Sequence, residues 1–285
     1  MNKTLTKKEL IDALINLAFA EDIGDGDHST LSAIPADAEG KSQLLIKEAG
    51  VLAGIEIAKE IFNRFDSSLK VEVLLEDGAE VKVGDIAMIV EGKVQSLLQT
   101  ERLMLNVMQR MSGIATLTHK YVEAIKGTRT KLLDTRKTTP GMRILEKEAV
   151  KIGGGVNHRI GLYDMIMLKD NHVDFAGGIE NAILRAQSYC KANHKDLKIE
   201  IEVRNFDEIN EVLRVGGVDR IMLDNFTPEN TLKAVKLIDG KFETESSGGI
   251  TYETLRSYAE CGVDYISVGA LTHSVKGLDM SFKAL

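Results

Sequence analysis

The second half of the chain alternates short apolar runs with helical stretches, and this alternation restricts the fold more than any other feature. The runs are TKLLDTRK, YDMIMLKDN, LKIEIEV, DRIMLDNF, FETESSGG and DYISVGAL. Helical periodicity lies between most of them, over 142–151, 179–190, 207–215, 228–238 and 252–261. Strand, crossover helix and strand in succession predict a parallel sheet. Two units echo one another, GVDRIMLDNF at 217–226 and GVDYISVGAL at 262–271, and DMIMLKDN is similar to the first. Short repeated units favour a barrel over an open doubly wound sheet. No G-x-G-x-x-G follows the first strand, which speaks against a dinucleotide crevice.

In a barrel, chemistry collects at the carboxyl ends of strands. Arg136 and Lys137 follow one strand, His158 and Arg159 follow the Gly153-Gly154-Gly155 run, and Lys169 with Asp170 closes another. Glu200 and Glu202 alternate along a fourth and therefore face one side. Asp224 ends a fifth, Ser246 to Gly249 follow a sixth, and Gly269 follows a seventh. Two carboxylates in a barrel interior are costly unless paired or used. Ser247-Gly248-Gly249 and Gly269-Ala270 can offer unobstructed backbone amides to a phosphate; small residues also serve plain turns. Glu202 and Asp224 suit Mg²⁺ bound mostly through water and ligand phosphates. As partners of Lys169 and Lys137 they would instead be structural. Histidines form a poorer metal set, because a strand separates His158 from His172 and His28 lies in the other domain.

The stretch 132–172 carries Arg136, Lys137, Arg143, Lys147, Lys151, His158, Arg159, Lys169 and His172, although the chain as a whole has a formal charge of −7. Cations set beside glycines at the ends of apolar runs ask for an anion with several phosphates or carboxylates. The acidic balance argues against general binding to a nucleic-acid backbone, and the absence of tryptophan argues against base-stacking platforms. Cys190 and Cys261 lack metal-ligand spacing and fit a reducing, cytoplasmic setting. Neither a signal peptide nor a membrane span is expected.

In the first half, Thr6-x-x-Glu9 predicts a capping box and a helix to about Phe19, with Leu10, Ala13, Leu14 and Leu17 on one side. EDIGDGDHST, at 21–30, reads as a turn and cap; the spacing and terminal glutamate of a calcium loop are missing. Residues 41–47 predict a strand and 54–65 a helix. Residues 71–94 predict strands, with a hairpin turn at Asp77-Gly78 and another turn at Val83-Gly84-Asp85. This piece is similar to the folded-over sheet of lipoyl and biotinyl carriers, without their exposed lysine. A helix over 94–111 places Leu97, Met104, Met108 and Met111 on an apolar face, with Arg102, Asn106 and Gln109 opposite. Ser112-Gly113 is expected to break it before a second helix over 115–125, close to a domain boundary.

These segments, in this order, resemble the quinolinate phosphoribosyltransferases. The resemblance rests on Asp134 to Thr138, Pro140-Gly141 with Leu145-Glu146-Lys147, Gly153 to Gly155, Asn157 to Arg159 and Lys169 to His172. It continues through Glu200 to Val203, Leu223 to Phe226, Glu245 to Gly249 and Val268 to Ser274. Upstream, Glu21-Asp22 and Gly26-Asp27 also match, with Ser29-Thr30 where the family has two spaced threonines. The resemblance implies transfer of a phosphoribosyl group from 5-phosphoribosyl-1-pyrophosphate to quinolinate. The products would be nicotinate mononucleotide, pyrophosphate and CO₂, in de novo NAD synthesis.

The implied fold is α/β: an N-terminal α/β sandwich over 1–112, joined by the tail 275–285, and an incomplete parallel α/β barrel over 113–274. Homodimers with shared sites, sometimes hexamers, are also implied. Arg102 matches an arginine lent to the neighbouring subunit. Arg102, Arg136, His158 and Arg159, with Lys169 close by, match holders of the quinolinate carboxylates. Lys137 and Lys169 match positions that handle the sugar phosphate and pyrophosphate. Glu202 and Asp224 match carboxylates near the ribose hydroxyls and Mg²⁺. Ser247, Gly248, Gly249 and Gly269 match phosphate-binding backbone, with His273 in the last loop. Three rivals stand beside this: a non-decarboxylating nicotinate phosphoribosyltransferase, a Schiff-base aldolase using Lys169, and a non-enzymatic carrier built on 71–94.

Overall fold

The first helix starts where its capping box dictates. Thr6 Oγ1 accepts the Glu9 amide at 3.2 Å, and Glu9 Oε2 accepts the Thr6 amide at 2.8 Å. The computed structural model describes residues 4–285. In chain order its elements begin with α1 (Lys7–Asp22), α2 (His28–Ala33), β1 (Glu39–Ile46), β2 (Gly50–Val51), α3 (Ile55–Phe65), β3 (Lys70–Val73), β4 (Glu80–Val81), β5 (Ile86–Lys93) and α4 (Val94–Ala124). There follow β6 (Lys131–Leu133), α5 (Arg143–Ile152), β7 (Ile166–Leu168), α6 (Asp170–Ala176), α7 (Ile179–Ala192), β8 (Ile199–Val203) and α8 (Phe206–Val215). The chain closes with β9 (Arg220–Asp224), α9 (Pro228–Ile238), β10 (Glu243–Ser247), α10 (Tyr252–Ala259), β11 (Tyr265–Ser267), α11 (Ala270–His273) and β12 (Met280–Ala284).

Two compact units result. The first takes the chain through His119, together with Thr138–Gly154 and Leu271–Leu285. Its main sheet is antiparallel in the order β12-β1-β5-β3, so the end of the chain pairs with its first strand. Alternation along β1 buries Ser42, Leu44 and Ile46 on one face. Helical spacing along α3 buries Ile55, Ala58, Ile61 and Phe62, and Phe62 meets Phe282 of β12 at 6.0 Å between ring centres. The acidic segment before α2 is a cap: Asp27 Oδ1 accepts the Thr30 amide at 3.1 Å.

Two local expectations fail in this unit, each for a tertiary reason. Asp77-Gly78 is a turn but not a hairpin, because β3 pairs with β5 whereas β4 pairs with β2. The Asp77 carboxylate instead caps α3, accepting the Gly54 amide at 2.7 Å and the Ile55 amide at 2.9 Å. Ser112-Gly113 does not break the helix, which runs unbroken for 31 residues as α4. Ser112 Oγ accepts the Ala53 amide at 2.9 Å and donates to the Ala53 carbonyl at 3.1 Å. A Cβ on Gly113 would lie 2.2 Å from the Lys276 carbonyl oxygen. The small pair therefore serves close packing. Nearby, Arg110 of α4 binds the fully buried Glu146 at 2.8 Å and the carbonyls of Thr272 and Val275. Glu146 Oε2 also accepts the Thr139 amide at 3.1 Å, which anchors the loop that follows Lys137.

The second unit, Lys120–Lys137 with Gly155–Ala270, is built on a six-stranded parallel sheet in the order β6-β11-β10-β9-β8-β7. The segment after the glycine run makes only an isolated parallel bridge, Leu133 to Val156, so the sheet has six strands and not seven. This is the expected α/β class with an incomplete barrel. Register decides what faces the interior. Arg220 is paired with both Glu200 and Glu243, and Met222 with both Glu202 and Glu245. Paired residues of parallel strands share a face, so charged side chains from β8, β9 and β10 converge. The alternate positions Ile201, Ile221, Leu223 and Ile266 are fully buried and apolar, as a sheet covered by crossover helices requires.

Candidate active site

A cavity of about 350 Å³ opens within the second unit at the carboxyl ends of its strands. Arg136 and Lys137 follow β6, His158 and Arg159 follow the Leu133–Val156 bridge, Lys169 follows β7, and Ser247 and Ser267 end β10 and β11; all line it, above Met167 and Met222. Asp134 explains why the D-T-R-K and N-H-R segments come together. It is fully buried, and it accepts the His158 amide at 2.8 Å and the Asn157 side-chain amide at 2.6 Å.

The electrostatics of this cavity favour an anion. Burial lowers the pKa of the Arg159 guanidinium, and the neighbouring Arg136 charge lowers it further. Two guanidiniums that repel in a partly desolvated space are stabilised by an anion placed between them. Lys169 Nζ forms an ion pair with Glu202 Oε2 at 3.2 Å.

His158 sits differently from the arginines. Its Nε2 lies 3.0 Å from Glu200 Oε2 and 3.3 Å from Glu245 Oε2, and its Nδ1 accepts the Arg159 amide at 2.7 Å. Both ring nitrogens thus lie against protein groups, while the residue itself lines the cavity. Glu200, Glu245 and Arg220 form the buried floor; Glu245 opens a segment of the family resemblance but was given no role there, and Arg220 was not marked at all. The signal was available as charge at every second position of FETESS, the same pattern that made Glu200 and Glu202 conspicuous.

The other predicted positions fall as follows. Asp224 shares the interior face with Met222, and its Oδ2 accepts from the Asn225 side chain at 2.8 Å. Glu202 and Asp224 thus offer two carboxylates on neighbouring strands, a set that suits an ion bringing phosphate and water ligands of its own. Gly248 has φ +93° and Gly249 φ +63°, and a Cβ on Gly248 would lie 2.3 Å from Asn225 Oδ1. Only glycine fits at Gly248, which leaves the backbone there bare for a phosphate. Gly269 follows β11 in the same unit. Arg102 and His273 belong to the first unit, where Arg102 is exposed on α4 and His273 Nδ1 lies 2.7 Å from Ser274 Oγ. That unit has a larger cavity of about 720 Å³, lined mainly by apolar residues such as Leu10, Leu14, Leu103 and Val107. Its arginine, Arg110, is already tied to Glu146, so this cavity offers no comparable anion site.

Comparison with known proteins gives concordant results. The model of the quinolinate phosphoribosyl transferase C-terminal domain matches residues 114–283, and that of the N-terminal domain matches residues 27–112. The chain is 46% identical to the chloroplastic nicotinate-nucleotide pyrophosphorylase [carboxylating] of Arabidopsis thaliana, over 96% of this chain and 82% of that protein. It is 42% identical to the probable nicotinate-nucleotide pyrophosphorylase [carboxylating] of Bacillus subtilis, over 94% of this chain and 91% of that one. The crystal structure of NadC from Streptococcus pyogenes superposes with a TM-score of 0.92 at 40% identity, over the full length of both chains.

Proposed function

The chain belongs to the quinolinate phosphoribosyltransferase family, and from that premise we infer that it joins quinolinate to 5-phosphoribosyl-1-pyrophosphate and decarboxylates the product. The products are nicotinate mononucleotide, pyrophosphate and CO₂, in NAD biosynthesis. The structural observation that carries this is the Arg136–Arg159 pair, flanked by Lys137 and Lys169 in one cavity. Quinolinate is a dianion, and two planar guanidiniums can each take a carboxylate bidentately. Nicotinate offers one carboxylate and would leave part of the repulsion uncompensated.

The chain's own groups account for the steps. Arg136, Arg159 and Lys169 hold the pyridine ring with its nitrogen toward the anomeric carbon of the donor. As the bond to pyrophosphate lengthens, positive charge grows on the sugar, and the carboxylates of Glu202 and Asp224 stabilise it. Lys137 and the bare backbone at Ser247-Gly248-Gly249 and Gly269 receive phosphate oxygens. The ribosylated ring is a pyridinium, so the electron pair of the breaking carboxylate bond stays on the ring carbon, where a proton replaces CO₂. Glu202 and Asp224 would hold Mg²⁺ mainly through water, and the ion would neutralise charge on the leaving pyrophosphate. Arg102, exposed and without an ion pair among the described residues, completes the site of a second copy in a homodimer.

Metal dependence tests this arrangement. Turnover of quinolinate with the donor is expected to require Mg²⁺ and to stop in excess chelator. Calorimetry should find weak Mg²⁺ binding without the donor and much tighter binding with it. Full activity in excess chelator would overturn the metal assignment.

A further inference from the structure

The residue after Asp224 holds an uncommon backbone conformation. Among the described residues, three other than glycine have positive φ: His194 at +50°, Asn225 at +55° and Asp239 at +49°. Asp239 is the C-cap of α9 and His194 follows the C-cap of α7, places where left-handed residues ordinarily end a helix. Asn225 instead follows strand β9 at the carboxyl end of the sheet, beside Gly248. Glycine would take this conformation without steric cost, so the side chain needs a reason of its own.

Its contacts supply one. The carboxamide nitrogen donates to Asp224 Oδ2 at 2.8 Å. The opposite amide orientation would set two oxygens against each other, so chemistry fixes which end faces the carboxylate. The backbone N–H donates to the Ser247 carbonyl at 2.9 Å, and Ser247 is the strand partner of Asp224. The rest of the carboxamide lies against Gly248, where a Cβ would be 2.6 Å from Asn225 Cγ and 2.9 Å from its backbone nitrogen. The next residue anchors the chain on the other side. Phe226 is buried, its ring meets Phe206 at 5.7 Å, and its carbonyl accepts the Tyr258 hydroxyl at 2.9 Å. A strained conformation persists where its surroundings over-determine it, and here they do.

We propose that Asn225 is a positioning residue for the phosphoribosyl donor. It orients the Asp224 carboxylate for the ribose and, through the same carboxamide, fixes the place of the Gly248 backbone that receives a phosphate. One Asp224 oxygen is held by the amide, and the other is the one that meets a ribose hydroxyl or a hydrated cation. A single side chain thereby spaces the two ends of the donor's site. Quinolinate is held by Arg136 and Arg159, so the loss of Asn225 falls on the donor alone. The identity of the ligand rests on the proposed function; the contacts among Asp224, Asn225 and Gly248 do not.

Asn225→Gly (N225G) and Asn225→Asp (N225D) separate the side chain from the backbone. Glycine keeps the left-handed backbone and removes the side-chain contacts. Aspartate keeps the shape but puts an oxygen where the amide donated to Asp224. Calorimetry measures binding of 5-phosphoribosyl-1-pyrophosphate with Mg²⁺, and kinetics give the KM for each substrate. N225G should weaken donor binding about tenfold or more, because a hydrogen bond to a charged group is lost. N225D should weaken it further, because two like charges then face each other. The KM for quinolinate should stay within about twofold in both variants. A merely structural residue would give the reverse order, with the isosteric N225D closer to wild type. Donor binding in N225G within about twofold of wild type, tighter binding in N225D than in N225G, or an equal rise in both KM values would overturn the proposal. If N225G does not fold, N225D decides, and unchanged donor binding in it would overturn the proposal. Wild-type protein that binds the donor but fails to consume quinolinate would contradict the proposed function, while the donor titrations still judge Asn225.

Discussion

Arg136→Ala is expected to weaken quinolinate binding by ~2–5 kcal/mol, the usual consequence of removing one partner of a buried charged hydrogen bond. The phosphoribosyl donor should bind nearly as before. Arg136 lies in the cavity with Arg159, and its charge lowers the Arg159 pKa, so the two guanidiniums are close enough to share one dianion. Phosphate oxygens are assigned to other groups, namely Lys137 and the backbone at Gly248 and Gly249. Separate titrations with each ligand measure the split directly. Equal weakening of both would show that Arg136 is not the quinolinate ligand.

A second large effect is expected from mixing two inactive variants. Arg102→Ala and Lys169→Ala should each be nearly inactive alone. The bland alternative for Arg102 is a solvated arginine on the polar side of α4, near Asn106 and Gln109. Leu103, Met104, Val107 and Met108 on the same helix are buried, so the helix presents Arg102 from a rigid base. If Arg102 completes the partner's cavity, each mixed dimer regains one intact site of its two. A random 1:1 mixture should then reach about a quarter of wild-type activity. Activity that stays at the level of the parents, once subunit exchange is demonstrated, would show that Arg102 does not act across an interface.

Most of what positions the site was legible in the sequence, because it depends on local rules. Period-two and helical spacing gave the βα alternation, Thr6 and Glu9 gave the start of α1, and cations at strand ends gave the cavity lining. Arg136, Lys137, His158, Arg159, Lys169 and Ser247 do converge. The failures are places where distant chain decides. Ser112-Gly113 has the composition of a helix break, but its small side chains admit Ala53 and the Lys276 carbonyl. Asp77-Gly78 has the composition of a hairpin, but its carboxylate caps α3. The buried floor was legible only in part, as charge at alternate positions of two strands; that Arg220 shares their layer requires register, its pairing with both Glu200 and Glu243. Likewise, the motif around His158 does not show that the carboxylates of Glu200 and Glu245 lie behind its ring.

The most direct test follows the fate of the carboxylate beside the ring nitrogen. Quinolinate labelled at that carboxyl group is incubated with the protein, Mg²⁺ and 5-phosphoribosyl-1-pyrophosphate, and labelled CO₂ is counted against nicotinate mononucleotide formed. One CO₂ per nucleotide is expected, none without the donor, and little or no turnover when nicotinate replaces quinolinate. Nucleotide formation from nicotinate at the same efficiency, with no CO₂ released from quinolinate, would contradict a decarboxylating phosphoribosyl transfer at this site.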